Sequence, residues 1–376
     1  MQHIIDKYLN IHSPGYVIST FQKTKGEINT FTYGNRQTIP TVEKTSSNTL
    51  YDIASLTKLF TAIIVYKAAE LNLINLEDPI AKIDERFIHL SHLSFLDLLG
   101  HKCSIWTDGL LKESKTFEKF YEILFSAKTV NSERKYVDTH YIILSTIMEK
   151  VFKDNFQNII NDIIINPLKL PNTTYNPIGK ILASTSFEDG KDNIISGEAH
   201  DPKASLARKF DIFLGHAGLF STAEDLMKVL IDLLEENKIL SSLSVAKMLD
   251  HDDITSLFVD ILQNNQPIKL EFTNINELYN ITNSNNKINQ DLLKTYNNSS
   301  TRYKNPIEAL NDVPAQASKN SIVYTGYTGP IIFIDFDKKI IIVIMCNTVH
   351  ASVLCRHERW NQSRHLLNEI FEFITQ

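Results

Sequence analysis

Apolar positions follow a period of two near both ends of the chain and a helical period between them. Tyr16 to Phe21 is rich in β-branched and aromatic residues, Lys23-Thr24-Lys25-Gly26 reads as a turn, and Glu27–Tyr33 alternates polar and apolar. That pattern predicts a hairpin ended by Gly34, followed by a polar loop over Thr38–Thr49. From Ser55 the period changes, with Leu59, Ala62, Ile63, Tyr66 and Ala69 on one helical face. Further helices are predicted at Phe95–Leu99, Thr116–Phe125, Tyr141–Phe152, Phe156–Ile165, Ala223–Glu236 and His357–Ile374. Thr222 stands as the N-cap of the Ala223 helix, with Glu224 and Asp225 in its first turn. Residues 250–320 are rich in Asn and Ser and read as loops with short elements. Three strands follow at Ser321–Thr325, Gly329–Asp335 and Lys339–Cys346, the last two joined by a tight turn at Asp337-Lys338-Lys339. Consecutive strands with turns this short pair antiparallel.

Strands at both termini with helices between them predict an α+β architecture. One antiparallel sheet is built from residues 1–70 and 305–376, and a mainly helical domain over residues 71–304 is inserted, with the site at the interface. A chain of 376 residues suits two such domains. The net charge of −6 argues against a dedicated nucleic-acid binder. Three cysteines make no disulfide framework, and no C-x-x-C or H-E-x-x-H pattern signals zinc. No cofactor is called for. No apolar run approaches the ~20 residues of a membrane span. The opening residues lack a basic, apolar, small-residue leader pattern, so the expectation is a cytoplasmic protein; an exported chain already stripped of its leader reads the same.

The first candidate chemistry is Ser55-Leu56-Thr57-Lys58 at the start of the amphipathic helix. Residues three apart share a helical face, so the Ser55 hydroxyl and the Lys58 ammonium can meet. A helix N-terminus adds a backbone N–H and positive partial charge beside the hydroxyl. The same four residues also fit a Ser N-cap followed by a solvated lysine. Context decides between them. Tyr51-Asp52-Ile53-Ala54-Ser55-Leu56-Thr57-Lys58-Leu59-Phe60-Thr61-Ala62 resembles the nucleophile segment F-D-x-A-S-x-T-K-x-x-T-A of class C β-lactamases and penicillin-recognising serine hydrolases.

The rest of that pattern follows in order. Tyr136-Val137-Asp138, then Tyr141–Glu149, is similar to the family's Y-x-N/S/D element and the helix after it. The resemblance implies that Tyr136 moves protons with Lys58, and that Asp138 holds Lys58 or bonds substrate. Tyr324-Thr325-Gly326-Tyr327-Thr328-Gly329 resembles K-T-G or H-T-G-x-T-G on the edge strand. It implies an oxyanion hole from the N–H groups of Ser55 and Tyr327, with Gly326 letting backbone approach substrate. Gly215-His216-Ala217-Gly218-Leu219-Phe220-Ser221-Thr222 resembles G-H-A-G-L-F-S-T of esterase-type and aminopeptidase-type members, and His200-Asp201 resembles their H-D element. His216 reads there as a structural residue of the pocket rim rather than the base. Leu98-Leu99-Gly100-His101-Lys102-Cys103-Ser104 matches L-L-x-H-x-S-G with its Ser-Gly replaced, and Cys103 reads as incidental. Asn347-Thr348-Val349-His350 reads as a turn, and His12, His89 and His92 as surface or turn residues.

The resemblance implies a β-lactamase/transpeptidase-like fold and a serine hydrolase with an acyl-enzyme on Ser55. Tyr324 departs from the Lys or His of the pattern, and a tyrosine, which ordinarily ionises only near pH ~10, cannot form an ion pair near neutrality. The substrate expected is therefore a small ester or uncharged amide. A carboxylesterase stands first, a peptidase or amidase on D-amino-acid-type substrates second, and a β-lactamase third. An acyltransferase results if an alcohol or amine replaces water. The alternative of another class is a non-catalytic penicillin-binding-like sensor.

Overall fold

A computed structural model describes residues 1–131, 135–186, 194–249, 314, 316–318, 320–350 and 356–376. A six-stranded antiparallel sheet is assembled from both ends of the chain. Its order is Ser321–Thr325, Ile331–Asp335, Ile340–Cys346, Gly15–Gln22, Glu27–Gln37, Glu43–Lys44. The central pair runs in register from Tyr16 opposite Cys346 to Gln22 opposite Ile340.

The apolar run Ile340–Cys346 shows why this sheet forms the centre. Successive side chains of a strand face opposite ways. Ile341, Val343 and Met345 pack with the large core under the Thr57–Glu70 and Ala223–Ile231 helices. Ile340, Ile342, Ile344 and Cys346 pack with Ile4, Ile5 and the Leu366–Ile374 face of the Arg356–Thr375 helix. Helices thus cover both faces, and a one-residue slip would exchange the two sets.

Several expectations are refined. Gly34 does not end its strand, which continues to Gln37. At Gly34 the backbone φ is +67°, and a β-carbon would lie 2.2 Å from the Pro14 carbonyl oxygen, so glycine accommodates the bend inside the strand. The polar loop after it contains the Glu43–Lys44 strand. The Ala223 helix holds α-geometry to Ile231 and ends in a π-turn over Asp232–Glu236, whereas the Phe156 helix passes through a π-turn over Asn161–Ile165 and resumes α-geometry to Leu168. Thr222 caps as expected, accepting from the Asp225 N–H. The last hairpin's first strand begins at Ile331 rather than Gly329. His12 sits in a turn but is buried, between the Tyr16 and Ser363 hydroxyls at 2.6 Å each, whereas His89 and His92 are exposed. The expected loops over residues 250–320 lie outside the described residues up to 313 and at 315 and 319.

Candidate active site

The nucleophile candidate sits on a tight bend. Tyr51–Asp52 pairs with Phe220–Ser221, and the chain then turns through a short 3-10 segment, Ala54–Leu56, into the Thr57–Glu70 helix. Ala54 takes φ +45°, a left-handed conformation that costs a β-carbon residue roughly 1–3 kcal/mol. Three bonds hold the bend. Asp52 accepts from the Ala54 N–H at 2.8 Å and the His200 N–H at 2.7 Å, and its carbonyl accepts from the Thr328 hydroxyl at 2.6 Å. Ser55 is thereby placed at the cleft and is 8% exposed, with Lys58 wholly buried beneath it.

Lys58 Nζ donates in three directions: to Ser55 Oγ at 3.3 Å, Asp138 Oδ1 at 2.9 Å and the His216 carbonyl at 3.3 Å. Its ammonium also lies 4.8 Å from the centroid of the Tyr136 ring. Burial pulls the Lys58 pKa down, but the Asp138 charge, with Tyr136, outweighs it and holds the group above the ordinary lysine value. Lys58 therefore rests as an ammonium. Burial likewise pushes Asp138 up, yet Lys58, His216 and Lys203 hold it well below the carboxylate range.

The carbonyl of His216 reaches Lys58 because Gly215 lies against two helices. A β-carbon at Gly215 would stand 2.6 Å from Thr61 Oγ1 and 2.8 Å from the Tyr141 carbonyl. The Thr61 hydroxyl donates to the Gly215 carbonyl at 2.7 Å, and the Gly215 N–H donates to Ser145 Oγ at 3.0 Å. The His216 ring is 1% exposed, with Nε2 3.0 Å from Asp201 Oδ1.

Asp201 and Lys203 extend the network. Lys203 Nζ bridges Asp138 Oδ2 at 3.1 Å and Asp201 Oδ2 at 3.0 Å. Against the opposing effect of burial, the two carboxylates raise Lys203, and His216 with Lys203 lowers Asp201. Asp138, Asp201 and His216 offer ligand atoms within 4.8 Å of one another. Ammonium groups already lie against both carboxylates, so the arrangement is a charge network rather than a metal cage.

Ser55, Tyr136, Asp138, His216 and Tyr327 line one cleft of about 270 Å³, together with Lys112, His200, Asp201 and Lys203. His200 stacks on Tyr327 with ring centroids 5.4 Å apart. Tyr324, Thr325 and Gly326, expected with Tyr327 among the substrate-binding residues, do not line this cleft, whereas Tyr327 does. Tyr324 stands behind Tyr136, hydroxyl to hydroxyl at 3.4 Å. Thr325 pairs with Ile331 in the sheet, and Gly326 backs onto Ile53, whose carbonyl oxygen would lie 2.6 Å from an added β-carbon.

Sequence reasoning did not assign Lys112, Lys203 or the pairing of Asp201. Asp201-Pro202 carried the local signal, an N-cap followed by proline at the first helical position. Asp201 does cap the Pro202–Lys209 helix, accepting from the Lys203 and Ala204 N–H groups at 2.9 Å each. Nothing local announced its reach to His216.

A family model described as Beta-lactamase matches residues 12–363. The chain is 30% identical over 139 residues to the N-acetylmuramyl-L-alanine amidase of Bacillus subtilis, covering 33% of this chain and 31% of that protein. It is 26% identical over 228 residues to a putative D-alanyl-D-alanine carboxypeptidase of Salmonella heidelberg, covering 51% of this chain and 52% of that protein. The chain thus spans about half the length, or less, of these curated relatives. The structure of EstCE1, described as a hydrolase with promiscuous acyltransferase activity, superposes with a TM-score of 0.68 at 15% identity, covering 98% of this chain and 97% of that one. A class C β-lactamase from Rhodobacter sphaeroides superposes at 0.63 and 15% identity, covering 99% of both chains. These likenesses establish the β-lactamase/transpeptidase-like fold.

Proposed function

The chain belongs to the beta-lactamase family, and on that basis we propose that this serine hydrolase acts through a covalent acyl-enzyme on Ser55, with carboxylesters as its preferred substrates. The observation that carries the reading is the convergence of the Ser55 hydroxyl, the Asp138 carboxylate and the Tyr136 ring on the Lys58 ammonium, beneath a cleft that Ser55, Tyr136 and Asp138 line. The pair acts in its base form, which is one proton short of the Lys58 ammonium and the Tyr136 phenol together and so has a site for the serine proton. When Ser55 Oγ bonds to the carbonyl carbon, the pair takes the serine proton and passes it to the leaving oxygen as that C–O bond breaks. Asp138 keeps Lys58 in place, and the N–H groups of Ser55 and Tyr327 receive the oxyanion. Water then releases the acyl group; an alcohol in its place gives transfer, an activity described for the similar EstCE1. Stopped-flow release of p-nitrophenol from a short acyl ester tests this. The expected trace is a burst of about one equivalent followed by steady turnover. No burst from correctly folded protein would remove the reading.

One observation favours a second reading, a peptidase or amidase for carboxylate-bearing substrates. Tyr324 supplies no cation for such a group, but another side chain of the cleft can. Lys112 is exposed, lines the cleft and has no ion-pair partner among the described residues. An exposed ion pair is worth about 0.2–1 kcal/mol, so Lys112→Ala is expected to raise KM for p-nitrophenyl hemisuccinate up to about fivefold more than for p-nitrophenyl butyrate. Equal changes for the two esters would leave the neutral ester as the better substrate.

A pH dependence follows from Asp52. Burial pushes its pKa up to about 6, against the two N–H groups that favour the carboxylate. Both oxygens accept from backbone, so protonation removes an acceptor and loosens the Ala54–Ser55 bend. Asp138 and Asp201 are held below the carboxylate range and stay ionised through this window. Turnover is expected to fall as pH drops through about 6, and Asp52→Asn should lower the plateau and remove this limb. An unchanged limb in that variant would assign it to another group.

A further inference from the structure

We propose that His101 and His140 form a buried imidazole clamp that holds Tyr136 in register with Lys58, which makes both histidines positioning residues. The inference rests on the reading of Tyr136 as the proton-transfer partner of Lys58. Lys135, Tyr136 and Val137 lie in no helix or strand, so no ladder of backbone bonds fixes them. The clamp supplies the fixation. The Lys135 N–H donates to the His101 carbonyl at 3.0 Å, and the Val137 carbonyl accepts from His140 Nδ1 at 3.0 Å. Between these two bonds, the His101 ring lies against the Tyr136 ring, centroids 4.6 Å apart. His101 also packs on Tyr141 at 5.2 Å, and the Tyr141 hydroxyl is tied to the Leu99 carbonyl at 3.1 Å.

The two imidazoles are joined, Nδ1 to Nδ1, at 3.1 Å. A carbonyl can only accept, so the bond to Val137 needs the His140 tautomer with its proton on Nδ1, in which Nε2 accepts from the Cys103 thiol instead of donating to the Cys103 carbonyl. His101 Nδ1 is then the acceptor, and the His101 proton lies on Nε2. Neutral rings satisfy this pattern; two charged rings would face each other donor to donor. His140 meets the requirement, for burial pushes its pKa down to about 4 despite the Val137 and Cys103 carbonyls and the Asp138 charge; Lys58 acts with burial. Cys103 Sγ lies 3.7 Å from His140 Nε2, and burial pushes this thiol up to about 11, so it remains a thiol. Position 101 makes a further demand. His101 takes φ +47°, a left-handed backbone that histidine and asparagine adopt more readily than most residues. Asparagine also offers a side-chain acceptor near the place of Nδ1.

The test is a double-mutant cycle on the Ser55 acylation rate, read in single-turnover experiments with p-nitrophenyl butyrate. His101→Ala is expected to slow acylation about 10–30-fold with KM within about twofold, because a misplaced catalytic group costs rate rather than binding. His101→Asn should recover most of the loss. His101→Phe, which keeps the ring but lacks the acceptor, should fall between them and stands in if the alanine variant fails to fold. In a Tyr136→Phe background, where the hydroxyl to be positioned is gone, each change at 101 should alter the rate by less than about twofold. The same factor in both backgrounds would overturn the clamp while leaving the acyl-enzyme reading intact. Absence of any Ser55-dependent acylation in the wild type would overturn both.

Discussion

Ser55→Ala is expected to abolish the p-nitrophenol burst and to cut turnover at least about 10³-fold, while the protein stays folded. The expectation follows from geometry. Ser55 is small, sits at the cleft surface and accepts one long hydrogen bond from Lys58 at 3.3 Å, so its hydroxyl contributes little to packing. The bend that presents it is held by Asp52 and Thr328, which the substitution leaves untouched. Alanine already occupies the preceding, more demanding position at φ +45°. Turnover that survives in this variant within tenfold would mean that another group attacks the substrate.

Lys58→Met is expected to have an effect of comparable size, about 10²–10⁴-fold on turnover, because members of one proton-transfer unit are not additive. Its effect on stability should be small. Methionine fills similar space, and the change removes a buried ammonium that three acceptors had to solvate. Asp138 keeps Lys203 at 3.1 Å and is not left as an unpaired charge. A shift in Tm within about 3 °C, on the order of 1–2 kcal/mol for a chain of this size, is the expected result from calorimetry. A large loss of Tm with turnover retained would make Lys58 a structural cation.

The parts of this site legible in sequence are those fixed by local geometry. Ser55 and Lys58 share one helical turn, so their spacing alone brings Nζ to 3.3 Å from Oγ. The seven-residue apolar run at Ile340–Cys346 was legible as a strand, and the structure adds that both of its faces are buried. Tyr136 and Asp138 were legible through the resemblance of their segment, which stood eighty residues from Lys58 without any periodicity linking them. What stayed hidden depends on distant elements meeting. Asp201 read only as half of the His200-Asp201 element and Lys203 was not singled out, and only the packing of the Pro202–Lys209 helix beside Asp138 turns them into a charge network. The position of Tyr324 in a motif placed it at the substrate wall, but the sheet brings its hydroxyl behind Tyr136. His101 read as one letter of an altered loop; its contact with Tyr136 exists only because the loop and the Thr139–Phe152 helix pack together.

The most direct measurement is the intact mass of the wild-type protein, quenched in acid during turnover of p-nitrophenyl butyrate and then mapped by peptide digestion. A covalent mechanism on Ser55 requires a gain of one butyryl group, confined to the peptide that holds Ser55 and lost again as substrate is exhausted. Turnover with no mass gain, or a butyryl group on a different peptide, would contradict it.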